Sequence, residues 1–352
     1  MGPVAEAWGL HQPPRRQTPG LYPVRLVPGD RVFLVDPGED VLTAGLRQGV
    51  DLRYGCRHGK CTSCKYLVVD GEVAHVGASP YAFSDRELEE GGVLLCSTFA
   101  RSPLVISPFG TPPPADGVVL IPPEERRAQV VSLAAASSDL VELRLRPEAP
   151  LSWRPGQYLE IGLPGTGERR SYAITGPPDA SGALSFLVDA THRRVLGALE
   201  AAGDAPVTLL GPFGRLFHRP GTRPVLMAAT GAGIAPLLAV LRDLRTVGAV
   251  PPIRFDYGAR PGGIPYGDEL AGMGDGLPGF DFRPVELPGG RPLPLRLAEL
   301  ICRMGREIRD ASGHDAYVAG PVAFCDAVES LLTAKGLPEH RFFAERFYSV
   351  GT

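Results

Sequence analysis

The chain has 352 residues, room for two or three domains at about 100–200 residues each. Hydrophobic residues at 44% and charged residues at 21% are globular proportions, which excludes wholesale disorder. A formal net charge of −3 excludes an overall basic nucleic-acid binder. The 44 Gly and 37 Pro favour many turns and short strands over long helices. No apolar run reaches the roughly 18 residues of a membrane helix. Residues 1–20 carry Pro3, Pro13, Pro14 and Pro19 and no apolar core of a signal peptide, so they read as a flexible tail. The expectation is a soluble cytoplasmic protein with no nucleic-acid or membrane partner.

Residues 21–107 read as one small domain. Val24 and Leu26, then Val32 to Val35, predict two strands around a Pro28-Gly29-Asp30 turn. Asp40 to Gly49 predicts a short helix with Val41, Leu42 and Leu46 on one face. Lys65 to Asp70 predicts a strand, and Asp70-Gly71 a hairpin turn. Ser84 and Glu87 have capping-box spacing, and Leu104 to Ile106 closes the domain.

Inside this domain lies the segment Cys56-x4-Cys61-x2-Cys64, with Cys96 further on. That is the plant-type [2Fe–2S] spacing. Four thiolates around two irons form a negative centre, and backbone N–H groups aimed at the sulfurs stabilise it. Gly55 and Gly59 are expected to supply positive φ for such a wrap, and Arg57 and Lys60 positive charge. Zinc is the alternative, but it favours closely spaced Cys pairs, and here the first gap is four and the last Cys stands alone. His58 invites a Rieske reading, which needs two His. With four Cys present, His58 reads as a solvated loop residue. Cys302 and Cys325 lie far away and read as buried, inert thiols.

Pro108, Pro112, Pro113, Pro114, Pro122 and Pro123 mark residues 108–123 as a stiff linker. Residues 124–220 carry short strands at Gln129–Leu133, Leu140–Arg146, Gln157–Ile161, Leu184–Val188 and Val207–Leu210, the spacing of an antiparallel barrel. Residues 221–352 change character. A buried-type strand at Val225–Ala229 leads through a Gly-rich turn into an apolar helix ending near Leu244. Strands follow at Ile253–Tyr257 and Ala316–Ala319. Strand–helix alternation predicts a doubly wound parallel sheet.

Three further motifs follow in order: Arg170-Ser171-Tyr172-Ala173, just after a predicted barrel strand; Thr230-Gly231-Ala232-Gly233-Ile234-Ala235-Pro236; and Tyr317-Val318-Ala319-Gly320-Pro321 with the terminal Glu345-Arg346-Phe347. With the cysteine loop, the chain over roughly residues 22–350 resembles the ferredoxin–NADP reductase superfamily with an N-terminal plant-type ferredoxin domain. More narrowly, it resembles the reductase components of bacterial multicomponent monooxygenases of the methane, propane and phenol kind. The resemblance implies a multidomain fold. A β-grasp α+β ferredoxin domain spans 21–107, an antiparallel β-barrel flavin domain 124–220, and an α/β doubly wound nucleotide domain 221–352.

The resemblance also implies roles. Arg170 pairs with the FAD pyrophosphate, although alone it would read as a surface ion pair. Ser171 belongs to the same motif, and Tyr172 packs on the isoalloxazine. The family's usual Ser or Thr at the fourth position is Ala173 here. Arg193 and Arg194 stand where a second pyrophosphate contact is expected, with a solvated pair as the alternative. Thr230, Gly231, Gly233, Ile234 and Pro236 would form the nucleotide turn, with Gly320 and Pro321 beside it. Ala319 replaces the family's frequent Cys. Tyr172, Ala173 and Phe347 are the implied catalytic set.

The implied function is NADH-dependent electron transfer: NADH to FAD, then single electrons to the [2Fe–2S] cluster, then to a terminal oxygenase, a diiron hydroxylase component. A Rieske dioxygenase or a deoxysugar dehydratase is the alternative acceptor. An iron–sulfur sensor with vestigial later motifs is the alternative class. A monomer is expected. The run Tyr257-Gly258-Ala259-Arg260-Pro261-Gly262-Gly263 offers one cation, Arg260, which would position a ribose or hold the loop. It holds no acidic residue to reject a 2′-phosphate, so NADH preference is expected to be modest.

Overall fold

The computed structural model describes residues 20–79, 81–110, 119–203, 205–247, 250–260, 263–287 and 293–348. The tail at 1–19, Pro112 to Pro114 of the linker, and Pro261-Gly262 lie outside them. The chain divides into two compact units, Met1–Pro123 and Glu124–Thr352.

In the first unit, β1 (Tyr22–Leu26) and β2 (Arg31–Val35) pair antiparallel and bury Val24 opposite Phe33. Helix α1 (Val41–Arg47) starts at Asp40, whose carboxylate accepts the Thr43 N–H at 2.9 Å and so satisfies a free donor of the first turn. Then come β3 (Lys65–Asp70), β4 (Val73–His75), α2 (Asp85–Glu89), β5 (Gly92–Leu94), β6 (Thr98–Ala100) and β7 (Leu104–Pro108). The Ser84–Glu87 capping box is complete at the start of α2. The main sheet runs β2-β1-β7-β3-β5, and β4 pairs with β6 alone.

The Asp70-Gly71 turn makes no hairpin. A Cβ at Gly71 would lie 2.3 Å from the Pro103 carbonyl oxygen. The turn is packed on the approach to β7, so the chain leaves the sheet and finds β6 instead. Pro108 belongs to β7 rather than to the linker.

The second unit opens with β8 (Glu124–Ala135), β9 (Leu140–Pro147), β10 (Tyr158–Gly162), β11 (Arg169–Ala173), β12 (Leu184–Asp189), α3 (Arg193–Ala201) and β13 (Val207–Phe213). These strands form one antiparallel sheet in the order β11-β10-β13-β8-β9-β12. Its two edges approach through the bridge Ile174↔Phe186, with the Thr175 N–H donating to Ser185 O at 3.0 Å. The motif Arg170 to Ala173 is itself the edge strand β11. Its single buried side chain, Ala173, hides it from an alternation reading.

The unit continues with β14 (Val225–Thr230), α4 (Ile234–Val247), β15 (Ile253–Ala259), α5 (Gly267–Ala271), β16 (Phe280–Glu286), α6 (Leu293–Glu307), β17 (Asp315–Pro321), α7 (Val322–Ala334) and β18 (Phe342–Phe347). All five strands are parallel, in the order β16-β15-β14-β17-β18. β14 is buried throughout, as the central strand of a covered sheet must be. Cys302 is exposed, against expectation. The buried residues of α6 are Leu297, Leu300 and Met304, and a position two residues from either neighbour points away from that face. Cys325 is buried. Among the described residues no helix is long and apolar enough to cross a membrane.

Candidate functional site

The cysteine segment folds as a loop that turns its amides toward its own sulfurs. The Cys56 N–H donates to Cys61 Sγ at 3.2 Å, the His58 N–H to Cys56 Sγ at 3.3 Å and the Gly59 N–H to Cys96 Sγ at 3.3 Å. The wrap needs left-handed residues, and they are not all where the glycines are. Gly59 has φ +71, but Gly55 does not. Arg57 at φ +60 and Thr62 at φ +58 take the rest, the kind of local strain that collects at functional loops. Gly55 serves by size instead: a Cβ there would stand 3.0 Å from Cys61 Sγ. His58 is half-buried rather than solvated.

The sulfurs meet two by two. Cys64 Sγ lies 3.3 Å from Cys96 Sγ, and the Cys56 thiol hydrogen-bonds that of Cys61. In each pair one thiol yields its proton more readily. The hydrogen bond with Cys56 draws Cys61 down to about 5, while the same bond and burial push Cys56 up. Cys96 is lowered and Cys64 raised in the same way. Among the described residues no three Cys, His, Asp or Glu side chains gather around one ion position. Two thiol pairs ringed by N–H donors fit a two-iron cluster better than a single tetrahedral ion.

In the second unit, the C-terminal ends of β14, β17 and β18 come together where the strand order changes direction, the usual ligand crevice of a parallel sheet. Thr230 ends β14, and its hydroxyl donates to Gly258 O at 3.0 Å. Gly231 has φ +55 and open space around it. Gly233 is fixed differently: a Cβ there would lie 2.1 Å from Ala319 O. The turn can therefore lie on β17 only without a side chain at 233. Ile234 and Pro236 are buried in the first turn of α4. Gly320 and Pro321 end β17, and Phe347 pairs in register with Pro321.

The antiparallel sheet meets this edge. Ala173 pairs with Tyr158, and the Tyr158 and Phe213 rings lie 5.8 Å apart. A Cβ added to Gly214 would be 3.0 Å from Glu345 Oε2, so the terminal strand reaches the end of β13. Ser171 is exposed, and Tyr172 is half-buried with its hydroxyl pKa raised by burial. At the far end of β11, Arg170 Nη2 contacts Glu168 Oε2 at 3.0 Å, and Arg194 Nη2 contacts Glu168 Oε1 at 2.8 Å. Two of the three predicted pyrophosphate arginines thus converge. Arg193, at the start of α3, is exposed. Guanidiniums meeting over one small anion position suit a diphosphate, so these residues fit FAD.

Arg260 is engaged elsewhere. It faces Asp139 at 3.5 Å and Asp189 at 3.4 Å, both from the antiparallel sheet's side of the unit. Beside it lies a cleft of about 850 Å³ whose lining includes Ile264, Asp268, Phe282 and Glu286. Glu286 stands opposite Ala259 in register. Acidic residues do therefore flank the end of β15. They come from β16 and α5, where a scan along one strand's exit loop cannot find them.

An amide-lined thiol cage in one unit, and a strand-end crevice facing an arginine-bearing sheet in the other, define an iron–sulfur flavoprotein reductase. Residues 25–101 match the family profile of the 2Fe-2S iron-sulfur cluster binding domain. The chain is 32% identical to the propane 2-monooxygenase reductase component of Rhodococcus jostii over 97% of its own length and 95% of the relative's. It is 30% identical to the phenol 2-monooxygenase reductase component of a Pseudomonas strain, covering 94% and 95%. Its fold is similar to that of the Amycolatopsis cytochrome P450 reductase GcoB, with a TM-score of 0.80 at 25% identity, covering 94% of this chain and 100% of that one. The chain belongs to the reductase components of multicomponent oxygenases, a branch of the ferredoxin–NADP reductase superfamily with an N-terminal [2Fe–2S] domain. It is an oxidoreductase that carries electrons from a nicotinamide nucleotide through FAD and a [2Fe–2S] cluster.

Proposed function

We propose that this chain is the NADH-dependent reductase of a multicomponent monooxygenase of the propane and phenol type, delivering electrons to its hydroxylase component as a cytoplasmic monomer. One observation supports the internal route most. Glu345 of β18 reaches Gly214, which sets the nucleotide-strand ends against the sheet that carries Arg170 to Ala173. The functional division follows the sequence: cluster at 21–107, a flavin domain closed as an antiparallel barrel at 124–220, and a doubly wound nucleotide domain at 221–352.

FAD supplies the conversion between a two-electron hydride and single electrons, which the cluster carries one at a time. The protein's part is placement. Cys56 with Cys61, and Cys64 with Cys96, would each hold one iron, and the loop amides offset the cluster's negative charge. Arg170 and Arg194, with the N-terminus of α3, would hold the FAD diphosphate, and Tyr172 would pack on the ring. The absence of a hydroxyl at Ala173 leaves backbone N–H groups to face the flavin edge. Gly231, Gly320 and Pro321 would border the nicotinamide nucleotide, with Phe347 beside Pro321 in register.

NADH preference is supported by the engagement of Arg260 with Asp139 and Asp189, and by Glu286 and Asp268 in the adjoining cleft. A 2′-phosphate would meet carboxylates there and no uncommitted Arg260. The expected discrimination is about 10–100-fold in kcat/KM, or 1.4 to 2.7 kcal/mol. Kinetics with both nucleotides and cytochrome c as acceptor test it, and a preference for NADPH would refute it. The partner is tested by adding purified hydroxylase components and following NADH-coupled substrate oxidation. Coupling only with a Rieske oxygenase would redirect the assignment.

A further inference from the structure

We propose that Glu168 is an internal anion seated in the diphosphate corner of the flavin site, and that incoming FAD displaces it. The inference rests on the reading of Arg170 and Arg194 as diphosphate ligands.

Glu168 ends the connection between β10 and β11. Its two carboxylate oxygens are divided between two elements, Oε2 to Arg170 on β11 and Oε1 to Arg194 in the first turn of α3. Both guanidiniums use an Nη2 on the same small group. A diphosphate presents anionic oxygens on two adjacent phosphorus atoms and would call on the same pair of arginines. Helix α3 has 9 residues, and His192 at its N-cap makes no side-chain cap. The anion-attracting end of the helix is thus not occupied by its own capping side chain.

The backbone of Glu168 is held while its side chain is not deeply enclosed. Its carbonyl accepts the Leu163 N–H at 2.8 Å, and its N–H donates to Thr166 Oγ1 at 3.1 Å. The side chain is 33% exposed, and Arg194 is 71% exposed. Ion pairs this open to water are worth little, so a doubly charged ligand can replace them. In the absence of FAD the carboxylate separates two like charges. With FAD bound the diphosphate takes over that work, and Glu168 becomes a third negative group at the site. Its removal should therefore favour the FAD-bound state.

The test is titration of the deflavinated full-length protein with FAD and with riboflavin, which lacks phosphate, read by flavin fluorescence. Glu168→Gln should bind FAD about tenfold more tightly, equivalent to about 1.4 kcal/mol. Riboflavin affinity should not move, and FAD affinity should fall more steeply with added salt than in the wild type. Glu168→Ala should shift FAD binding in the same direction, which separates charge from any hydrogen bond the Gln makes. FAD binding that is unchanged or weaker in either variant overturns the proposal and leaves Glu168 as a support that aims the two arginines. An equal change for riboflavin overturns it as well. A separate result, Arg170→Ala with wild-type FAD affinity, would remove the diphosphate reading underneath.

Discussion

The two units build their sites in opposite ways. In the first, three of four thiols, and the amides of Cys56, His58 and Gly59 that aim at sulfur, lie between Cys56 and Cys64, while Cys96 comes from afar. In the second, the crevice draws on β11, α3, β14, β17 and β18, spread from Arg170 to Phe347, and no short segment contains it. A local site depends on the conformation of one loop. A distributed site depends on how whole sheets register against each other, and it fails when packing fails. Perturbations should sort accordingly.

The largest expected effect is chemical. Cys96→Ser should abolish the iron–sulfur absorbance and cytochrome c reduction, while NADH continues to bleach the flavin at near the wild-type rate. Loss of flavin reduction as well would break the contrast and show that the two sites depend on each other. Gly233→Ala comes next. Its methyl would sit 2.1 Å from Ala319 O, and forced overpacking of this kind costs about 3 kcal/mol. Thermal unfolding should show the second unit destabilised with the cluster signal intact. An unchanged melting temperature would mean that the turn and β17 are free to separate.

The smallest effect is pH dependence. The Leu94 N–H donates to His75 Nε2 at 3.0 Å, just ahead of Cys96, and burial pushes the His75 pKa below its usual value. The unfolded chain therefore takes up this proton at a higher pH than the folded one. The stabilisation is complete above about pH 6.5 and declines as pH falls toward the folded pKa, by at most about 1.4 kcal/mol per unit for one proton. Iron release from the full-length protein at pH 5.5 against pH 7.5 should show it, and His75→Gln should flatten the difference. An equal acid sensitivity in that variant would discharge His75.

The same contrast explains what could be read before the structure. The cysteine loop, the Ser84–Glu87 cap and the buried strand β14 are all signals within one short window, and each stands where the sequence places it. β16 and β18 carry no such local signal. They are edge strands of a parallel sheet, and the residues of β18 are uniformly half-buried, so neither alternation nor an apolar run marks it. Glu168, Glu286, Asp139 and Asp189 are silent in the sequence for another reason. A carboxylate is unremarkable until its surroundings are known, and theirs come from other elements: Glu168 meets Arg194 of α3, Asp139 and Asp189 meet Arg260, and Glu286 stands opposite Ala259 of β15. Cys302 has apolar neighbours along the chain, but the buried ones, Leu297, Leu300 and Met304, lie on the face of α6 that it does not share.

The hold of Asp139 and Asp189 on Arg260 has a consequence for how such chains can be recombined. The arginine follows β15 of the parallel sheet, and its two carboxylates belong to the antiparallel sheet's side of the unit. A chimera that takes either half from a relative inherits one side of this clasp without the other. Where that relative lacks the counterpart, Asp139 and Asp189 would face no cation, or Arg260 no acid, at the seam. Swaps within this family should therefore move the three positions together, in addition to keeping the packing between the two sheets.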